Sequence, residues 1–128
     1  LLRNTSQQYV CKNIYLRPQS DDVLITVGLD DRAYKIPIAH GEGRYFADAD
    51  TLKRLNDNNQ VIFRYCDAAG VITDEANPNG SLENIAGVAN ERKNVFALMP
   101  HPERAADPML GNTDGLLILE RLINAVLV

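Results

Sequence analysis

The chain has 128 residues, 45% of them hydrophobic and 23% charged, enough for one domain with a packed core. A formal net charge of −4 and an isoelectric point near 5.1 argue against a general nucleic-acid binder, which needs a basic face, but leave room for a local basic site for a phosphorylated ligand. No apolar run reaches the ~18–20 residues that a membrane-spanning helix needs, and the opening Leu1-Leu2-Arg3-Asn4 lacks the organisation of a signal peptide.

In chain order, residues 9–16 (YVCKNIYL) are rich in β-branched and aromatic side chains and predict a strand. Pro18 and the residues to 22 break it. Residues 23–29 (VLITVGL) predict a second strand, with Asp30-Asp31 as a turn. Residues 33–39 (AYKIPIA) predict a third, where Pro37, lacking an N–H, marks an edge or a strand end. Residues 40–43 (HGEG) form a tight loop. Residues 48–58 predict a helix capped by Asp48 or Asp50, with Leu52 and Leu55 on one face. Residues 61–66 (VIFRYC) predict a strand, closed by the turn Ala68-Ala69-Gly70. Residues 77–81 (NPNGS) join two turn signals. Residues 85–90 and 95–99 predict a hairpin around a turn at 91–94. The last element is an apolar helix capped by Thr113 or Asp114, with Leu116, Leu119, Leu122, Ile123 and Val126 at helical spacing.

Six strand signals and only two helices do not balance. A central strand that is apolar throughout needs cover on both faces, and two helices cannot supply it. The expectation is an α/β domain whose further helices and parallel strands lie upstream; the unusual opening residues point the same way. Asp30-Asp31 and Asp48 with Asp50 read as a turn and a cap, so no metal site is expected. Cys11 and Cys66 have no CxxC spacing and read as small apolar residues, which fits a reducing, cytoplasmic compartment.

The chemistry concentrates at residues 99–104, MPHPER. An apolar strand stops at a proline and delivers His101 where ligands of open α/β sheets bind. Pro100 and Pro102 fix φ on both sides of the histidine. Glu103 stands within reach of one imidazole nitrogen; it would set the tautomer and stabilise the imidazolium, leaving the other nitrogen to deprotonate a nucleophile. A cysteine is the natural partner, because an adjacent His⁺ lowers a thiol's pKa. On the residues alone, a solvated strand exit is the competing reading.

MPHPER together with AHGEGRY (39–45), NPNGS (77–81), IAGVANERKNVFALMPHPERAADP (85–108) and LLRNTSQQYVCKNIYLR (1–17) resembles the glutaminase subunits of phosphoribosylformylglycinamidine (FGAM) synthase, within the class I (triad) glutamine amidotransferases. The resemblance implies a flavodoxin-like α/β fold with a mixed sheet. It implies a Cys-His-Glu triad that hydrolyses L-glutamine and passes ammonia to an ATP-dependent synthetase in purine biosynthesis. His101 matches the base and Glu103 its orienting acid. The implied partners are the large synthetase subunit and a small subunit. This chain binds no cofactor in that scheme, ATP and Mg being used by the synthetase.

The resemblance stops short of the nucleophile. The family's cysteine sits in an elbow resembling G-x-C-N-G, and neither Cys11 nor Cys66 has a flanking glycine. Residues 1–128 are therefore expected to be the C-terminal part of a single domain, with the elbow and its oxyanion hole upstream, and to be inactive alone. The resemblance makes His40, Gly41, Glu42, Gly43 and Arg44 candidates for the mouth of the glutamine site or the synthetase face. Arg3, Asn4, Thr5 and Ser6 are candidates for holding the α-amino and α-carboxylate groups of glutamine, and Arg104 is expected to brace Glu103. Two rival readings are a stand-alone cysteine hydrolase using Cys66 or Cys11, and a non-catalytic docking module for a synthetase.

Overall fold

Burial follows sequence alternation most clearly in strand β2, Tyr34–His40, where Tyr34, Ile36, Ile38 and His40 are buried while Lys35 is exposed. The computed structural model describes residues 1–127. The remaining elements are β1 (Val10–Pro18), α1 (Ala49–Asp57), β3 (Val61–Cys66), β4 (Ile85–Ala89), β5 (Phe96–Leu98) and α2 (Asp114–Val126). One-turn 3₁₀ helices occupy Leu82–Asn84, Pro102–Ala105 and Pro108–Leu110.

The strands form one sheet in the order β2-β1-β3-β4-β5, and all four pairings are antiparallel. β3 lies at the centre and is buried at every position but Arg64, as its unbroken apolar run requires. Pro37 sits on the edge strand β2, where a missing N–H breaks no ladder. The sheet curls so that the exit from β5 meets β2: the His101 N–H donates to the Pro37 carbonyl at 2.9 Å. Ile14, Leu16, Ile36, Ile38, Phe63, Tyr65 and Ile118 fill the main core. Leu55 of α1 packs with Val61 and Ile85 in a second cluster. Asp48 caps α1, its carboxylate accepting from the Thr51 N–H at 2.8 Å.

Residues 23–29 are not the expected strand. They coil into successive turns: the Thr26 and Val27 N–H groups and the Thr26 hydroxyl all converge on the Val23 carbonyl. Val23, Ile25 and Thr26 are buried, and Gly28 takes φ +72°, which glycine adopts without strain. Both edges of β1 are already taken by β2 and β3, so this apolar run satisfies its backbone locally and still buries side chains.

The final helix forms, but its buried face is rotated from the expected one. Gly115 and Ile118 are buried, Leu116, Leu119 and Leu122 are half-buried, and Ile123 and Val126 are exposed. Gly115 decides this. A Cβ there would lie 1.9 Å from the Pro102 carbonyl oxygen, so its absence lets α2 seat against the 3₁₀ turn that carries the HPER residues.

Candidate active site

β4 and β5 hand the chain to the dyad. The Met99 N–H donates to Ala86 O at 3.1 Å, Pro100 is buried, and the next residue, His101, is tied by its N–H to β2. Pro102 then starts the 3₁₀ turn, which brings Glu103 back over the ring. His101 Nδ1 lies 2.7 Å from Glu103 Oε1. An ionised carboxylate only accepts, so Nδ1 carries the proton and Nε2 presents a lone pair. The side chains are 32% and 59% exposed, so the pair is open to an incoming nucleophile and substrate. Arg104 is exposed and, among the described residues, forms no ion pair with Glu103. The expected brace is absent; Arg104 contributes its N–H, which donates to the His101 carbonyl at 3.1 Å and closes the turn.

Three separate sequence motifs meet beside β2. The Leu2 and Arg44 backbones pair in both directions, at 2.8 and 3.2 Å. Asn4 is fully buried. Its amide donates to the carbonyls of His40 and Gln8, both at 2.9 Å, and its oxygen accepts from Gly43 N–H at 3.2 Å. Every polar atom of that side chain is engaged with this chain's own backbone, so Asn4 is a clamp in place of the substrate contact expected of it. Arg3, Thr5 and Ser6 are exposed, and the Thr5 methyl crowds Gly80.

His40, expected at a site mouth, is turned inward and only 6% exposed. Its Nε2 lies 3.0 Å from Asn79 Nδ2, and the same amide nitrogen donates to Gly43 O at 2.9 Å. Asn79 Oδ1 accepts from Ser81 N–H at 3.0 Å and from Ser81 Oγ at 2.7 Å. Gly43 is required here, because a Cβ would lie 2.3 Å from the His40 ring. Burial, and then the charge of His101, hold the His40 imidazole below its ordinary pKa. Gly41 and Arg44 are half-buried, and Glu42 is the exposed member of the loop. Asn79 and Gly115 were legible only as a turn residue and a helix glycine. Nothing local to either position signals the side chain or carbonyl it meets.

Neither cysteine serves His101, whose side-chain hydrogen bond among the described residues is to Glu103. Cys66 is buried on β3, where burial and then the Asp67 charge push its thiol up to about 11, leaving it protonated at neutral pH. Cys11 is exposed on β1. Among the described residues no group of His, Cys, Asp and Glu is arranged to hold a metal, and no helix is long and apolar enough to cross a membrane.

An imidazole oriented by a carboxylate at the rim of a curled α/β sheet defines a class of protein, and residues 1–114 match the model of the CobB/CobQ-like glutamine amidotransferase domain. The chain belongs to that family. It is 52% identical over 117 residues to the phosphoribosylformylglycinamidine synthase subunit PurQ of Synechocystis sp., covering 91% of this chain and 52% of that protein. It is 50% identical over 127 residues to the PurQ of Salinibacter ruber, covering 98% of this chain and 54% of that one. A solved structure of PurLQS from Thermotoga maritima superposes with a TM-score of 0.78 at 37% identity, over 98% of this chain and 52% of that chain. The chain thus spans about half the length of the curated relatives it matches.

Proposed function

We propose that this chain is the base-bearing part of an FGAM synthase glutaminase subunit, acting in the cytoplasm on L-glutamine. The observation that carries the reading is the 2.7 Å His101–Glu103 contact, which leaves Nε2 bare at the rim of the sheet. In the reaction, Nε2 takes the proton of a cysteine thiol supplied by the part of the relatives that this chain does not span. The thiolate attacks the side-chain carboxamide carbon of glutamine. The imidazolium, stabilised by Glu103, returns its proton to the leaving nitrogen, and ammonia departs from a glutamyl thioester. His101 then deprotonates the water that hydrolyses the thioester to glutamate and regenerates the thiol. The ammonia goes to an ATP- and Mg-dependent synthetase subunit, assembled with a small subunit. Neither Cys66, which is held protonated, nor Cys11 enters the scheme.

The test is His101→Ala in the assembled enzyme. Glutamine hydrolysis is expected to fall by roughly 10⁴-fold, as for loss of a triad member, with assembly intact. Hydrolysis at the parental rate would refute the reading and leave a docking role.

A further inference from the structure

We propose that the unpaired part of the β1 edge is a strand-addition site: an extended, basic segment of a partner subunit pairs with Cys11 and Asn13, in the groove between β1 and residues 67–76. The site rests on the amidotransferase reading, which gives the chain an assembly with a synthetase, and locates one contact of that assembly.

Both edges of β1 carry partners, but over different lengths. β2 pairs along Val10–Leu16, whereas β3 pairs only along Tyr15–Pro18. β3 ends at Cys66 and Asp67 turns the chain away. The Asp67 N–H donates to the Val71 carbonyl, and its carboxylate accepts from the Ala69 and Val71 N–H groups. Successive residues of a strand aim their backbone groups at opposite edges. The Gln19 N–H donates to the Ile62 carbonyl beside β3, so Arg17, Tyr15, Asn13 and Cys11 all face that edge. The pairing with β2 agrees. Lys35 binds the Asp114 and Asn112 side chains through its N–H and carbonyl, so the odd residues of β2 face outward and its even residues meet Val10, Lys12 and Ile14. Cys11 and Asn13 therefore turn their N–H and C=O groups to an edge with no strand beside it. None of the four groups has a hydrogen-bond partner among the described residues, and both residues are exposed.

This edge opens into a groove of about 530 Å³, lined by Lys12, Asn13 and Tyr15 on the β1 side and by Asp67, Thr73 and Glu75 across from it. One residue of a paired strand fills roughly 160 Å³, so the groove takes about three, enough to run past Cys11 and Asn13. Its far wall is acidic. Asp74 and Glu75 are exposed and form no ion pair among the described residues, against Lys12 on the near side. That charge selects a basic strand. A second copy of this chain does not fit, because its own β1 edge is recessed behind the same acidic wall. The cavity over β4 and β5 is of another kind: Leu1, Tyr45, Ile85, Val88 and Leu98 line it, an apolar surface suited to cover from within a domain.

The test reads amide hydrogen exchange in the intact subunit, alone and in the assembled enzyme. Cys11 and Asn13 are expected to exchange freely in the subunit alone and about 10²-fold more slowly in the assembly. Protection already present in the subunit alone, or free exchange in the assembly, overturns the proposal. Asn13→Pro removes an N–H that β2 does not use, so the β1–β2 ladder survives while the incoming strand loses a bond and meets the ring. Assembly is expected to weaken by about tenfold. Asn13→Ala keeps the N–H and is expected to assemble as the parent does; equal affinities in the two variants overturn the proposal. Asp74→Lys combined with Glu75→Lys, at two exposed positions, is expected to weaken assembly by about tenfold at low salt and less at high salt. Parental affinity at low salt overturns the proposal. Exchange and this charge reversal decide the matter if Asn13→Pro fails to fold. A subunit that joins no assembly with a synthetase overturns the amidotransferase reading together with the site; assembly with both amides still exchanging freely overturns the site alone.

Discussion

Gly115→Ala tests whether the seat of α2 holds the dyad in place. In an exposed helix interior this change gains about 1 kcal/mol of helix propensity. Here the new methyl would lie 1.9 Å from Pro102 O, 2.7 Å from Pro102 C and 2.9 Å from Ala105 O, all backbone atoms. Carbon and oxygen in ordinary contact sit near 3.3 Å, so α2 and the 3₁₀ turn must part by more than about 1 Å. Overpacking of this kind costs about 1–3 kcal/mol, occasionally more, which outweighs the propensity gain. Pro102 separates His101 from Glu103, so the displacement passes directly to the base. A misplacement of about 1 Å costs on the order of 10²-fold in rate. Urea unfolding of the intact subunit is expected to show net destabilisation, and glutamine hydrolysis is expected to fall in kcat more than in KM. A variant as stable as the parent with parental kcat would refute the idea that close approach at Gly115 positions the dyad.

Glu103→Gln keeps the size of the orienting group but loses its charge. Because the carboxylate is 59% exposed, the expected loss in kcat/KM is about 10–10³-fold, below that of a buried triad acid, with unfolding free energy unchanged within ~0.5 kcal/mol. Gly43→Ala drives a methyl to 2.3 Å from a ring that Asn79 holds still, so urea titration is expected to show a loss of about 1–3 kcal/mol despite the lower chain entropy of alanine. His40 has an ordinary pKa of 6.5 that folding lowers. The unfolded chain therefore binds this proton at a higher pH than the folded one. Its contribution is full above about pH 7 and is lost as pH falls through 6.5 and below. Unfolding free energies measured across that range should decline with acid in the parent and less steeply in His40→Gln; parallel slopes would show that His40 does not titrate differently on folding.

The sequence determined what neighbouring residues decide among themselves. Glu103 reaches His101 because the two are separated by one proline in a 3₁₀ turn, and the α1 cap, the β4–β5 hairpin and the apolar β3 are likewise short-range matters of propensity and pattern. Motifs far apart in the chain could be recognised there but not aimed. Tertiary structure turned His40 inward, engaged Asn4 as a clamp on the HGEG loop, and put Asn79 against the His40 ring and the Gly43 carbonyl. It also withheld a ladder from residues 23–29, because both edges of β1 were occupied, and chose the buried face of α2 through the close approach at Gly115. The physical reason is the same in each case. A buried polar group or a missing Cβ takes its meaning from the atom opposite, and that atom is brought there by the pairing of strands distant in sequence.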